Sequence, residues 1–398
     1  MSHITEFSIW GLAGRKEVYS QKLDRHLNVF FGLNGSGKTS LLKILDSAME
    51  RKTDNLINVP FEKAQVKIYS INFKKEFLYK ITKKNQSAPS GEKDEEEIQG
   101  DSDETEDFEF NSEYLNSRFI QKAIEKKKNI GEWEITPDLQ SGSGLWKHGY
   151  LPTTRLYWGM NRFSVEERRI SEEALDQNYA NSLQSIWRNY NHDISQKIRE
   201  AQEDGLANIL KDVLIGSQSK KKTIKEVDLK TAYDRVAKFL ERQGSKGVIG
   251  KLDKFEERYM NNLQLRNVVS DIDEIEKKIA TATAPRRNLE NLISKMFTGN
   301  KKIDFGDSDI RVITQDEQKI SLASLSSGEK HVLRILIEVL KVDECSLIID
   351  EPEISMHVDW QKDLISVMRQ LNPNAQIIIA THSPEIMADV NEKSIHRL

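Results

Sequence analysis

Eight residues constrain this chain more than any others: Gly32-Leu33-Asn34-Gly35-Ser36-Gly37-Lys38-Thr39. An apolar run, Leu27-Asn28-Val29-Phe30-Phe31, precedes them, and Ser40-Leu41-Leu42-Lys43-Ile44-Leu45 follows with helical apolar spacing. A strand, a glycine-rich turn and a helix start together frame a phosphate-binding loop. The glycines let the backbone turn tightly enough for successive N–H groups to converge on one anion. The helix N-terminus behind them adds partial positive charge. In that frame Gly32, Asn34, Gly35, Ser36, Gly37, Lys38, Thr39 and Ser40 are the expected nucleotide contacts. Lys38 reaches the β- and γ-phosphates, and the Thr39 hydroxyl ligates Mg2+. A nucleotide is the expected ligand.

At 398 residues the chain has room for two or three domains, or for one large domain carrying an inserted lobe. No apolar run approaches the roughly 20 residues that cross a bilayer, so no membrane partner is expected. The start, Met1-Ser2-His3-Ile4-Thr5-Glu6, lacks the basic-then-apolar pattern of a secretory signal. Cys345 is the sole cysteine, which excludes an internal disulfide framework and a cysteine-based zinc site. Its apolar neighbourhood marks it as core, and a reducing, cytoplasmic setting fits.

The net charge of −4 conceals an uneven distribution. Residues 91–110 hold eleven acids and one base, a block of −10, which leaves the remainder at +6. That mildly basic body permits a nucleic-acid partner without demanding one.

In chain order, Ile4 to Ile9, Val18 to Leu23 and Leu27 to Phe31 read as short strands around the Gly11-Leu12-Ala13-Gly14-Arg15 turn. Trp10, Arg15 and Tyr19 are candidates for the base, and equally for surface or core positions. After the loop a helix runs to about Lys52, and the alternation over 64–83 predicts an antiparallel hairpin. Residues 84–112 are too polar to offset ordering entropy and read as a disordered acidic loop. A helix is expected over 113–130, and a strand over Tyr150 to Trp158, where Arg155 calls for a carboxylate or phosphate partner. From Ser164 to Lys295 helical patterns dominate, with breaks at Gly205, Gly216 to Lys222, Gly244 to Gly250 and Thr281 to Pro285. These breaks imply several helical segments in a compact lobe. Its Lys220-Lys221-Lys222 loop could meet a phosphate backbone, or serve solubility alone. Strand-like alternation returns at 302–322, and α/β patterning closes the chain.

Three further motifs follow. Leu325-Ser326-Ser327-Gly328-Glu329-Lys330 opens a helix, a second anion-binding arrangement; Ser326 and Glu329 also have capping-box spacing. Ser346-Leu347-Ile348-Ile349-Asp350-Glu351-Pro352-Glu353 reads as a buried parallel strand that delivers carboxylates to its C-terminal end, where ligands of open α/β sheets bind. There Asp350 would hold Mg2+ and Glu351 would polarise the attacking water. Gln376-Ile377-Ile378-Ile379-Ala380-Thr381-His382-Ser383 ends a third such strand on a histidine placed to sense a γ-phosphate.

Together these motifs resemble those of ABC-type ATPase heads. In that resemblance Ser326, Ser327, Gly328 and Glu329 stand for the LSGGQ-like signature, Ile354-Ser355-Met356-His357 for the D-loop, and His382 for the switch histidine. Glu351, His382 and Lys38 would be the catalytic residues, Thr39 and Asp350 the Mg2+ ligands. The cofactors implied are ATP and Mg2+. In such heads the signature completes the phosphate loop of a second head, so a homodimer or higher homo-oligomer is implied. The Ser-Ser-Gly-Glu wording and the roughly 285 residues between Lys38 and Leu325 depart from transporters. No residue is identified as the Q-loop glutamine, Gln121 being a weak candidate. The stretch Asp350-Glu351-Pro352-Glu353-Ile354-Ser355-Met356-His357, with Thr381-His382-Ser383-Pro384-Glu385, is most similar to the OLD-like (AAA-15/AAA-21) group, whose relatives include ATPase subunits of anti-phage systems such as PARIS and Septu. OLD-family nucleases carry a TOPRIM domain after the head, and about sixteen residues follow His382 here. A separate effector protein, a nuclease, is therefore the expected partner.

The resulting expectation is an α/β fold: a P-loop ABC-type ATPase head with a β-rich N-terminal subdomain and an inserted helical lobe. Its expected parts are 1–83 and 301–398 as the two halves of the head, 84–112 as the acidic loop, 113–163 as a connection, and 164–300 as the lobe. The rival expectation is a DNA-repair or chromosome-maintenance ATPase that grips duplex DNA.

Overall fold

The computed structural model describes residues 2–83, 130–138, 146–153, 172–215, 229–242, 244–245, 249–297 and 299–398. The acidic loop at 84–112, Gln121, Arg155 and Lys220 to Lys222 lie outside these residues, as does nearly all of the helix expected over 113–130. The chain divides into two units, 1–162 with 326–398, and 163–325. The boundary therefore falls before Ser326, not at 301 as the sequence suggested: residues 301–325 cluster with the helical segment.

The first unit contains two sheets. One is antiparallel, built from β1 (Ser2–Trp10), β2 (Tyr19–Lys22), β4 (Lys63–Ser70), β5 (Lys75–Thr82) and β6 (Glu134–Thr136) in the order β2-β1-β4-β5-β6. Strands β4 and β5 are the expected hairpin, and β4 alternates half-buried and buried residues as a sheet with one packed face requires. The other sheet contains β3 (Leu27–Phe31), β7 (Gly149–Leu151), β11 (Ser346–Asp350), β12 (Gln376–Thr381) and β13 (Ile395–Arg397) in the order β13-β3-β12-β11-β7, every pair parallel. Every residue of β11 and β12 is buried, as continuous apolar strands covered on both faces should be.

Helix α1 (Lys38–Glu50) packs against strands of both sheets. Its Leu41, Leu42, Ile44, Leu45, Ala48 and Met49 are fully buried in a core shared with Phe7, Ile68, Phe77, Ile348 and Ile378. The side chain of Gln376 also joins the sheets: it accepts from Ile4 N at 2.9 Å and from Ser346 Oγ at 2.7 Å, and donates to Ile4 O at 2.7 Å. Burying that amide is tolerable because it is fully hydrogen-bonded.

In the second unit, α2 (Glu172–Ile215) and α5 (Leu263–Met296) dominate, with α3 (Leu229–Arg242) and α4 (Leu252–Asn261) beside α5. Asn191 meets Arg286, and Gly205 lies against Ile275, so α2 and α5 run antiparallel. The expected break at Gly244 to Gly250 separates α3 from α4, but those at Gly205 and Thr281 to Pro285 are absent, and α2 and α5 run on through them. Gly205 has a packing reason instead: a Cβ there would lie 2.2 Å from Ile275 Cγ1. Pro285 sits inside α5, where its missing N–H forfeits one helical hydrogen bond. Burial of Val269, Ile272, Ile275, Leu289 and Ile293 along the same helix outweighs that loss. Strands β8 (Lys301–Phe305), β9 (Ile310–Thr314) and β10 (Lys319–Ile320) form a small antiparallel sheet. Trp187 anchors it to α2, donating from Nε1 to Gly306 O at 2.8 Å and packing on Phe305. Among the described residues no helix is long and apolar enough to cross a membrane.

Candidate nucleotide site

The site lies where the parallel strands end. Strands β3, β12 and β11 are neighbours, paired Phe31 to Thr381 and Asp350 to Ala380. That register puts the loop after β3, the histidine after β12 and the acids after β11 side by side. Residues 350 positions apart in sequence meet because parallel strands share one C-terminal edge.

The expected loop connects the end of β3 to the start of α1. Gly35 and Gly37 hold φ of 82° and 99°, conformations glycine adopts without strain. A Cβ on Gly37 would also lie 2.9 Å from the Ala13 Cβ, so the turn before β2 braces the loop. Arg15, a candidate for the base, donates from Nη2 to Ser36 O at 3.1 Å and supports the loop instead. Tyr19 donates to Arg397 O, and Lys63 caps the ring of Trp10. Leu33 and Asn34 are exposed at the loop's crest. Lys38 is buried and its ammonium donates to Gly32 O at 2.7 Å and Leu33 O at 3.0 Å. It thus holds the loop closed with the charge a phosphate would compete for.

Thr39 and Ser40 occupy the first turn of α1. Thr39 Oγ1 donates to Asp350 Oδ2 at 2.8 Å, joining the two halves of the expected Mg2+ site across 311 residues of sequence. Thr153, just after β7, donates to the same oxygen at 2.6 Å. Asp350 is fully buried, and two hydroxyl donors help keep its charge tolerable there. A hydroxyl oxygen and a carboxylate at this separation form an all-oxygen donor set of the kind Mg2+ takes, usually with water completing the shell. The residues therefore fit the ion. Nothing in the sequence singled out Thr153; the pairing of β7 with β11, Leu151 to Ile349, brings it there.

Glu351 follows with φ of 49°, a left-handed conformation that is uncommon for a non-glycine residue and recurs at functional sites. Its N–H donates to Ala380 O at 2.8 Å, which pins the turn to β12. His382, 47% exposed, places Nδ1 3.8 Å from Glu351 Oε1 and 3.1 Å from Glu353 Oε1. Glu353 is the second residue that sequence reasoning missed. It is buried, and its Oε1 accepts from Thr381 Oγ1 at 2.6 Å, His382 N at 2.9 Å and Ser383 N at 3.2 Å. This carboxylate orients the histidine segment against Glu351. Its signal was the second acid of Glu-Pro-Glu, which is easily taken for an ordinary acidic turn.

The Ser326 to Glu329 segment caps α6 (Ser327–Lys341) with a complete capping box: Glu329 N donates to Ser326 Oγ at 3.2 Å, and Ser326 N donates to Glu329 Oε2 at 2.6 Å. Glu329, expected among the nucleotide contacts, has its carboxylate turned back onto its own helix start, where it also complements the helix dipole. Ser326 and Ser327 are exposed. Gly328 is buried, and a Cβ on it would lie 2.4 Å from Ser355 O, so only glycine lets this helix approach the turn after β11. His331 continues the contact through Nε2, 2.8 Å from Pro352 O. The signature-like turn therefore packs directly on the segment that carries Glu351.

Tyr150 borders the site from β7. Burial raises its phenol pKa, and the negative charges of Asp350 and Asp46 raise it further, so it stays a neutral phenol.

The fold and this edge define a class: an α/β nucleotide-binding protein with a phosphate loop and an opposed acidic strand end. More particularly, the chain belongs to the AAA_21 family (AAA domain, putative AbiEii toxin, Type IV TA system), whose model matches residues 27–388. The family is one of ATPases, so nucleotide is its expected ligand. Among curated proteins the chain is similar to the Retron Ec83 probable ATPase of Escherichia coli, 24% identical over 97 residues, 21% of this chain and 18% of that protein. It is similar also to the Septu protein PtuA of Bacillus thuringiensis, 26% identical over 208 residues, 47% of this chain and 50% of that protein. The chain spans between about a fifth and half the length of these curated relatives. Among solved structures, the Smc head domain with an extended coiled coil from Pyrococcus furiosus is 14% identical with a TM-score of 0.40, covering 98% of this chain and 92% of that one. An overlap that loose carries no argument about function.

Proposed function

We propose that this chain is an ABC-type ATPase head that hydrolyses ATP between two copies of itself and regulates a separately encoded effector, a nuclease, in anti-phage defence. The observation that carries the enzymatic part is the convergence of Thr39 and Thr153 on Asp350, with Glu351 and His382 on the adjoining strand ends. Relatives named for retrons and for Septu support the defence setting.

Lys38, released from its two carbonyl partners, pairs with the β- and γ-phosphates while the loop's N–H groups hold their oxygens. Thr39 Oγ1 would ligate Mg2+ directly and Asp350 would hold it through water; the ion supplies neutralising charge as the leaving oxygen develops it. The Glu351 carboxylate accepts a hydrogen bond from the attacking water and orients it in line with the γ-phosphorus. His382, held by Glu353, contacts the γ-phosphate and reports whether it is present. Ser326 and Ser327 face a second copy's phosphate from an α-helix N-terminus, so ATP joins two heads. Because Gly328 and His331 pack on the turn after Glu351, a phosphate bound at that N-terminus also bears on the chain's own catalytic acid.

Glu351→Gln tests this. It should keep ATP binding, lower turnover by roughly 100-fold or more, and accumulate an ATP-dependent dimer or higher assembly on sizing chromatography. Retained turnover would sink the catalytic assignment; an assembly state indifferent to ATP would sink the shared site.

A further inference from the structure

Away from the phosphate edge, Asp46, Glu50 and His148 bring three ligand atoms within 4.8 Å of one another. Asp46 and Glu50 are four apart on α1 and so share one face of that helix. His148 comes from the segment just before β7. Asp46 is almost wholly buried, His148 nearly so, and Glu50 lies at the rim with 37% of its side chain exposed.

Hydrogen-bond bookkeeping at His148 is restrictive. Its Nδ1 lies 3.1 Å from the Trp146 carbonyl oxygen, which can only accept, so Nδ1 carries a proton. Its Nε2 lies 2.9 Å from Asp46 Oδ1, also an acceptor when ionised. Two lone pairs do not face each other at that distance without a positive charge between them. That charge is either a proton, carried by the ring or by the carboxylate, or a metal ion. With one proton shared by the imidazole and the two carboxylates, the cluster is left at net −1. Lys52, whose ammonium is 3.9 Å from Glu50 Oε2, is largely exposed and screens weakly. A dication with neutral imidazole balances both carboxylates. The Nδ1–H to carbonyl hydrogen bond is the arrangement that orients metal-bound histidines elsewhere in proteins. Asn55 Nδ2, 3.5 Å from Asp46 Oδ2, plays the same orienting part for the carboxylate.

We infer that Asp46, Glu50 and His148 form a binding site for a first-row transition-metal dication of the zinc type, separate from the Mg2+–nucleotide edge. One imidazole and two carboxylates suit Zn2+ better than Mg2+, which prefers an all-oxygen shell. Ligand atoms of a dication bound at ~2.0–2.2 Å sit roughly 3 Å apart. The Asp46–His148 pair is at that spacing already, and the half-exposed Glu50 side chain closes the remainder by changing rotamer. The bound ion would tie the helix that begins at Lys38 to the segment that runs through β7 to Thr153, two stretches that both reach Asp350.

The test is zinc titration of the full, nucleotide-free chain after chelator treatment, followed calorimetrically, with cobalt absorption as a second readout. One equivalent of Zn2+ should bind, without competition from excess Mg2+. Glu50→Gln should weaken binding about 10-fold, and His148→Gln should weaken it further and abolish the visible cobalt band of an imidazole-ligated site. Asp350→Asn should leave zinc binding unchanged. Failure of the folded protein to take up an equivalent would overturn the proposal, as would unchanged affinity in Glu50→Gln. Glu50 is at the surface, so that variant decides the matter even where His148→Gln does not fold.

Discussion

The strand ends around Asp350 and the antiparallel helices α2 and α5 obey the same chemistry, yet only the first announces itself in the sequence. At the strand ends each key residue sits beside its own local cause. A glycine needs φ of 99° where the loop turns, and an acid follows five buried residues where a parallel strand stops. In the helices the cause is remote: Gly205 is small because Ile275, seventy residues away, fills the space its side chain would take. Local backbone demands are legible; packing demands between distant segments are not.

The largest expected effect probes that contrast in the helices. Gly205→Leu forces a side chain into Ile275 and should destabilise the helix pair by about 3 kcal/mol, read as lost amide protection in α2 and α5 by hydrogen exchange. If protection were unchanged, Gly205 would be an ordinary helix glycine and its packing explanation would fail. Next comes Pro285→Ala. It restores one N–H to α5 and should raise protection there by about 2 kcal/mol, somewhat under the cost of proline in an isolated helix because the surrounding turn has adapted. A fall in protection would mean that Pro285 sets a bend the unit requires.

The smallest effect belongs to the strand ends. Thr153→Val removes one of two hydroxyls from Asp350 while keeping the shape of the side chain. Turnover at limiting Mg2+ should fall about 10-fold, equivalent to ~1.4 kcal/mol, with recovery as Mg2+ is raised. A loss that no Mg2+ concentration repairs would place Thr153 at the nucleotide instead of at the ion's ligand.

Thr153 and Glu353 also mark the limit of what residue order reveals about the site. The placement of Gly32 to Thr39, Asp350, Glu351 and His382 at one sheet edge was readable because each lies at the end of a recognisable strand or the start of a helix. Thr153 belongs to no motif and reaches Asp350 only through the register of β7 on β11. Glu353 is in plain view, but its role comes from burial and from three donors on the segment after β12. Glu329 shows the reverse case. Its place in the signature-like motif suggested a ligand contact, while its spacing from Ser326 equally encoded a helix cap, and the cap is what forms. Among the described residues of 164–295 helices dominate, but Gly205 and Pro285 do not interrupt them, although propensity alone treats both as punctuation. Tertiary burial along α2 and α5 overrides it.

The shared ATP site is the central claim, and mixing two inactive variants tests it most directly. Lys38→Ala disables a chain's own phosphate loop. Ser327→Glu puts a negative charge at an exposed α6 N-terminus, where a helix accepts it, so the fold is kept while a partner's phosphate is repelled. Each variant alone should turn over little ATP. Co-assembled, they leave one intact site per mixed dimer, and a substantial part of the activity should return. If mixed dimers form and no activity returns, Ser326 to Gly328 do not complete another copy's phosphate loop, and the account of a site built between two chains is wrong.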